Sequence, residues 1–247
     1  MKDISLLNIS PILYSKSERI SIKKRREKAV MTTFLQDCIV GHLLGDGYIT
    51  KNAGKNTNAR FGFGQSSKKE EYFQKVFSNF KVLCTPNTLP HTKFFITSNT
   101  NLSSISFMTI RLPCLNVYYD LFYSSGKREV PLNIIDLLNP LGLSYWIIDD
   151  GSKQNKGLHL NVYAFNEESV ERLLETLRVK YYLTCTLHKH SSGPRIYIHE
   201  ESIPKLRDII KLYMVPSIYY KVGLLFSYNI LICYPTTPFY VQFQINY

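Results

Sequence analysis

The sequence predicts an α+β protein built from two copies of one unit, related by a pseudo-twofold axis. Three observations carry this. Two apolar segments each close on an acid and a glycine, Gly45-Asp46-Gly47 and Asp149-Asp150-Gly151, and the acids Asp46 and Asp150 lie 104 residues apart. Around each runs the same order of expected elements: helix, strand pair, helix, strand pair, helix. The chain has 247 residues, 45% of them hydrophobic, enough to bury a substantial core.

In the first copy, Thr33 to Gly45 carries Phe34, Leu35, Cys38, Ile39 and Leu43 at helical spacing. Glycine at its end suits the left-handed geometry that stops helices. Tyr48 to Gln65 reads as two strand pieces around the turn-prone segment Asn52–Asn56. Lys68–Phe80 is a helix with Tyr72, Phe73, Val76, Phe77 and Phe80 on one face. Lys93–Thr97 and Ser104–Ile110 read as strands, and Leu112–Tyr123 as a further helix. In the second copy, Leu141–Asp150 is a helix, Gly157–Phe165 a strand, and Glu167–Tyr181 a helix. Thr184–His188 and Arg195–His199 form a hairpin around Ser192-Gly193-Pro194, and Ser202 opens a last helix to Tyr213 as its N-cap.

The expected divisions are an N-terminal basic extension (1–30), a first half (31–135), a second half (136–222) and an uncharged tail (223–247). The extension contains Lys23, Lys24, Arg25, Arg26 and Lys28, which fit either a solvated charged face or an arm touching phosphates. The chain as a whole has 30 Lys plus Arg against 19 Asp plus Glu, a formal charge of +11 that favours a polyanionic partner. The five cysteines, Cys38, Cys84, Cys114, Cys185 and Cys233, show no C-x-x-C spacing, so neither a disulfide framework nor a zinc site is expected. His188 and His190 beside Cys185 read as alternate polar side chains of a strand. No run of about 18 apolar residues is present, so no membrane span is expected. Asp3 precedes any apolar stretch and the N-terminus is not Arg-rich, so no cleaved targeting peptide is expected.

The chemistry lies in the two acid-glycine endings. Gly41 and Gly45 are four apart on one helix face, and Ser144 and Ile148 share that spacing in the second copy. Small residues let helix backbones approach closely. If the two helices pack side by side, Asp46 and Asp150 meet at their C-terminal ends. Like charges repel there and the helix dipole is negative, so a divalent cation would relieve both problems. Oxygen ligands favour Mg²⁺, with Mn²⁺ as a substitute, and such ions activate water against a phosphodiester. One Gly-Asp-Gly is usually a turn; two on matched helices within a repeated order of elements are hard to dismiss.

The nonamers Ile39–Gly47 and Leu143–Gly151 resemble the paired LAGLIDADG signatures of homing endonucleases, and most resemble the single-chain, two-motif, I-SceI-like members from organellar introns. The likeness covers about Thr33 to Val222. It implies two αββαββα halves, with the signature helices at their interface and two antiparallel sheets forming a saddle. It also implies a metal-dependent, site-specific cut of both strands of a duplex, serving intron homing. Asp46 and Asp150 match the acidic metal ligands, and Gly45 and Asp149 the positions whose carbonyls also coordinate metal. Val215–Lys221 resembles the segment that delivers an active-site lysine, here Lys221. Its counterpart falls within Gly126–Pro131, where alignment on Pro131 places Arg128 at the position often held by lysine, with Lys127 beside it.

A sheet in each half would lie along the DNA major groove. Phe61 and Phe63 turn to the core, leaving Arg60 and the glycines outward with Gln65 at the end. Lys51, Arg60, Gln65, Lys153, Asn155, His159, Asn161, Lys189 and Arg195 are the expected base or phosphate contacts. The partner that the resemblance implies is double-stranded DNA with a long asymmetric site, bound by a monomer. Intron RNA is the alternative partner, for a maturase that assists group I intron splicing. A catalytically inactive DNA-binding protein is the other alternative. Mitochondrial residence, ahead of chloroplast, is expected from the resemblance and from a composition with four alanines against 18 Tyr and 14 Phe.

Overall fold

The computed structural model describes residues 15–52, 57–96, 101–191 and 193–223. Helix α1 (Lys16–Lys28) precedes α2 (Thr33–Leu44), whose first turn is capped by Thr32 Oγ1 accepting the Leu35 N–H. Then come β1 (Gly47–Thr50), β2 (Arg60–Ser66), α3 (Glu70–Phe80), β3 (His91–Ile96), β4 (Asn101–Met108) and α4 (Asn116–Phe122). A one-turn helix, α5 (Ile134–Leu137), follows. The second series is α6 (Pro140–Asp150), β5 (Gly151–Gln154), β6 (Gly157–Asn161), α7 (Glu167–Glu175), β7 (Cys185–His188), β8 (Arg195–Ile198) and α8 (Ile203–Ile210). Asn139 caps α6 and Asn166 caps α7 through their side chains. A 3₁₀ segment, Pro216–Val222, ends at Gly223 in the left-handed region (φ 66°).

Both sheets are antiparallel and share one strand order, β1-β2-β4-β3 and β5-β6-β8-β7. The expected α+β duplication is therefore present. Strand β5 went unseen in the sequence because Ser152-Lys153-Gln154 has no apolar alternation; pairing with Gly157–Leu160 creates it. The strand expected through Phe165 stops at Asn161, where the chain turns so that the Phe165 N–H reaches the Val162 carbonyl. The helix expected to Tyr181 widens into a π turn over Thr176–Lys180. Ser202 is not a side-chain cap: its Oγ accepts the Thr184 N–H at 2.8 Å, tying β7 to α8. The uncharged tail beyond Gly223, with Cys233, and the turn residues 53–56 lie outside the described residues.

Pleating sorts each sheet into two faces. Ile49, Phe61, Phe63, Ile105 and Phe107 are buried against Tyr72, Phe73, Val76, Phe77 and Phe80 of α3. Leu158, Leu160, Ile196 and Ile198 do the same with Val170, Leu173, Leu174 and Leu177. Between the halves lie α2 and α6, buried almost all round, which explains why their sequences show little polar face; Phe34, in the first turn of α2, is exposed.

The crossing of α2 and α6 depends on the predicted Gly41 and Gly45, both of which abut α6, but not on the predicted Ser144. Gly41 abuts Gly142, two residues earlier in α6 than the expected Ser144, and a methyl at Gly41 would overlap the Gly142 carbonyl. Ser144 instead donates to the Leu141 carbonyl of its own helix. Gly45 has φ −106°, so left-handed geometry is not its purpose; a methyl there would collide with the Asp149 side chain.

Candidate active site

The α2–α6 crossing brings the two acidic helix ends to one place. Asp46 and Asp150 line a common cavity of about 320 Å³ together with Gly45, Arg128, Asn161 and Tyr163. Each acid is followed immediately by the first residue of a strand, Gly47 or Gly151, so one local design is used twice. Asp46 is open to solvent on one side and Asp150 is half-buried. Desolvation and the Asp149 charge raise Asp46 to about 6; Lys69, Gln65 and Lys221 oppose this. Desolvation, then Asp46 and Asp149, raise Asp150 to about 7, against Arg128 and Lys221. The cluster thus stores like-charge repulsion of the sort that a bound cation relieves.

Two cations close the site from behind. Arg128 Nη2 donates to the Gly45 carbonyl at 2.7 Å and also to that of Leu43, while Nε meets the latter at 2.9 Å. Its guanidinium sits 5.2 Å from the ring centre of Phe165, a residue of the second copy. Lys221, 6% exposed, donates to the Ile148 carbonyl at 2.5 Å, with the Asp149 carbonyl at 3.5 Å. Both therefore satisfy the free carbonyls at the C-terminus of a motif helix, where positive charge also meets the negative dipole end. Burial, followed by Lys69, lowers Lys221 to about 8 despite the carboxylates. Arg128 is lowered by burial while Tyr123 and the three aspartates pull the other way. Lys127, the neighbouring candidate, is exposed, and its backbone N–H bonds Ser125 Oγ.

Asp149, anticipated for its carbonyl alone, has a side chain with a distinct place. It is buried at the interface and accepts from Tyr72 Oη (2.6 Å), His42 Nδ1 (3.0 Å) and the Asp46 N–H (3.1 Å). One carboxylate of the second copy therefore positions the backbone of the first copy's acid.

Three expected DNA contacts sit elsewhere. Gln65 shares the inward face with Phe61 and Phe63, as a period of two requires, and its amide donates to Asp46 Oδ2. Lys51, one residue past Thr50, points to the helix side, 3.7 Å from Asp120 and 5.5 Å from the Tyr119 ring centre. Lys153 pairs with core-facing Leu158 and so lies on the helix side of the sheet, in a pocket with Lys156, Arg207 and Gly223. By contrast, cross-strand pairing puts Arg60, His159, Asn161 and Arg195 on the face opposite the core. Asn155 (φ 51°) makes the β5–β6 turn, and Lys189 is exposed after β7. The same face holds a set not anticipated: His188 stacks on Tyr197 at 4.8 Å, and Thr186 bonds both His188 and His199. His159 is 8% exposed and lowered by burial, then by His188, Arg195 and His190. Lys69, just after β2, was also missed; nothing in its sequence context separates it from the other lysines.

Comparison with known proteins agrees with this architecture. Residues 36–206 match the model of the LAGLIDADG DNA endonuclease family. The cytochrome b mRNA maturase bI2 of Debaryomyces hansenii is 32% identical over 218 residues, covering 86% of this chain and 80% of that protein. The DNA endonuclease I-ChuI of Chlamydomonas applanata is 29% identical, covering 78% of this chain and 96% of that one. The homing endonuclease I-WcaI, solved bound to its DNA recognition sequence, superposes with a TM-score of 0.77 at 22% identity over 90% of this chain and 96% of that chain, and so shares its fold. With a duplicated αββαββα architecture, two motif helices crossing at glycine and a family match over most of its length, the chain belongs to the LAGLIDADG DNA endonuclease family.

Proposed function

We propose that this protein is a site-specific endonuclease that hydrolyses both strands of a DNA duplex with a divalent metal, serving intron homing. The observation that carries this is the meeting of Asp46 and Asp150 in one cavity at the join of two equivalent halves. The donor set fits Mg²⁺, or Mn²⁺ in its place: two carboxylates and the Gly45 and Asp149 carbonyls are hard oxygen ligands, and the carboxylates repel each other without a cation. When bound, the metal supplies Lewis acidity toward the phosphate and an activated water. Gln65 holds Asp46 through its amide, and Asp149 fixes the Asp46 backbone. Arg128 stays a cation at the Gly45 carbonyl, opposes the Asp150 charge and offers charge stabilisation. Lys221, lowered to about 8, has a population without its proton near neutral pH and can take part in proton transfer.

In this reading residues 31–135 and 136–222 act as two half-site readers in one monomeric chain. Arg60, Asn155, His159, Asn161, Lys189 and Arg195 contact a long asymmetric site spanning about two helical turns. The gene's home is read as a mitochondrial intron. The test is selection of cleaved duplexes from a random library with Mg²⁺ or with chelator. Cleavage should need the metal and vanish in Asp46→Asn and Asp150→Asn; product from both variants at the parent's rate would sink the proposal. A second reading, assistance to intron splicing, is favoured by the relatives named cytochrome b mRNA maturase in two yeasts. A splicing assay with the same two variants separates the activities, because RNA binding does not require the carboxylates.

A further inference from the structure

Helix α1 lies before the segment that matches the family, and the saddle does not explain it. It carries seven basic side chains against two acidic ones, and Ile22 is its one buried apolar residue while Ile20 is exposed. A helix of 13 residues this polar gains little from packing and suffers repulsion among its own charges. Its attachment is specific nonetheless. Arg25 donates to the Cys84 carbonyl, and Cys84 Sγ reaches the Met108 carbonyl at the end of β4. Met108 pairs with Gly62, so α1 is moored at the outer end of the first sheet.

At that end three arginines gather. Arg60 is on the exposed sheet face beside Thr50. Arg111 bonds the Asn58 carbonyl and Asn52 Oδ1 at the base of the β1–β2 connection. Arg111 is lowered by burial and then by Arg60 and Arg26, which places Arg26 of α1 within electrostatic reach of the other two. Lys23 and Arg26, three apart, share one face of α1, whereas Lys24 and Lys28, four apart, share another.

We propose that α1 is a phosphate-binding arm: with Lys23 and Arg26 it continues the positive surface of Arg60 and Arg111 and grips duplex DNA backbone beyond the outer end of the first sheet. This rests on the reading that the saddle holds duplex DNA. Backbone contact adds affinity without sequence information, and neutralising phosphates removes the repulsion that burdens the free helix.

The test measures binding of a mixed-sequence DNA duplex in chelator as a function of salt, for the full chain and two charge variants. The Lys23→Gln/Arg26→Gln variant should lower the slope of log affinity against log salt by about two, since each phosphate contact contributes roughly 0.9. Lys24→Gln/Lys28→Gln should change it by less than half as much. Glutamine sustains helices, and a melting curve verifies that both variants remain folded. A parental slope in the first variant, or equal losses in both, overturns the arm while leaving the saddle reading intact. A parent with no salt-dependent duplex binding overturns both. A loss seen on a structured RNA and not on duplex DNA also overturns the arm as proposed.

Discussion

His42 Nδ1 and the Asp149 carboxylate meet at 3.0 Å across the interface of the two halves, with both side chains fully buried. The imidazole is set among Phe63 (4.9 Å between ring centres) and Tyr145 (4.4 Å), and its Nε2 has no partner among the described residues. Nδ1 donates to the Asp149 carboxylate oxygen. Asp149 also receives Tyr72 and the Asp46 N–H, so it knits three elements of the first half to α6.

Removing both partners of such a buried pair should cost less than the two single removals added together. Asp149→Leu or His42→Leu alone strands polar groups in the core, with an expected loss of about 3 kcal/mol. The double variant should lose less than the sum, with a coupling on the order of 1 to 2 kcal/mol by urea unfolding. Additive losses would show that the contact is energetically idle. Asp149→Asn, which keeps the shape and the acceptor oxygen, should slow cleavage more than it lowers stability, because the Asp46 backbone loses a charged acceptor.

The glycine contact predicts an unequal pair of alanine variants. A methyl at Gly41 meets the backbone of Gly142, which cannot turn aside; a methyl at Gly142 lies 3.1 Å from the Asp37 carbonyl and 3.3 Å from a Leu138 methyl group, where small shifts suffice. Gly41→Ala should therefore destabilise by about 2 kcal/mol or more and Gly142→Ala by less, read from thermal melts. The reverse order would place the helix crossing elsewhere.

Stability without metal should fall as pH rises through the acid cluster. Asp150 and Asp46 hold protons more tightly in the folded chain than in the unfolded one, at about 7 and about 6. Their protonated forms favour folding, and that contribution disappears between the ordinary carboxylate range and about pH 7. Asp46 is open to solvent, so most of the effect belongs to Asp150, on the order of 1 kcal/mol after screening. In chelator, Asp150→Asn should melt above the parent at about pH 7 and match it at about pH 4, where the acid is already neutral. Mg²⁺ should raise the parent's melting temperature and leave the variant's nearly unchanged. Identical pH profiles for the two proteins would mean that the carboxylates do not repel.

Why some of this was legible and some not follows from the range of the interactions. The duplication, the core faces of α3 and α7 and the two acids are encoded by local periodicity and by a repeated ending, so they could be read. Gln65 was legible in principle, since Phe61, Phe63 and Gln65 alternate, but polar character argued for the surface and masked its register. Lys51 and Lys153 were misplaced because the strands that orient them were seen indistinctly or not at all. Asp149, His42 and Tyr72 meet only through the helix crossing, and Gly142 stands two residues from the expected Ser144. No local pattern carries a contact of that kind.

The two half-sites are not chemically equal, and strand-specific cutting should show it. Phe63 pairs with Gly47, and two residues on stands Gln65, donating to Asp46; Leu160 pairs with Gly151, and two residues on stands Val162, which has nothing to donate to Asp150. The basic residue differs too: Arg128 in one site stays charged at any working pH, whereas Lys221 in the other is lowered to about 8. On a supercoiled plasmid carrying a selected site, Arg128→Ala should slow one strand by about 100-fold and accumulate nicked circles. Lys127→Ala should behave as the parent within about two-fold, because its side chain is exposed and plays no part in holding the carbonyls at the motif-helix end. Lys221→Met should arrest the opposite strand, and Lys221→Arg should not restore it if proton transfer is the lysine's task. Nicks on the same strand from Arg128→Ala and Lys221→Met would refute the assignment of one cation to each site.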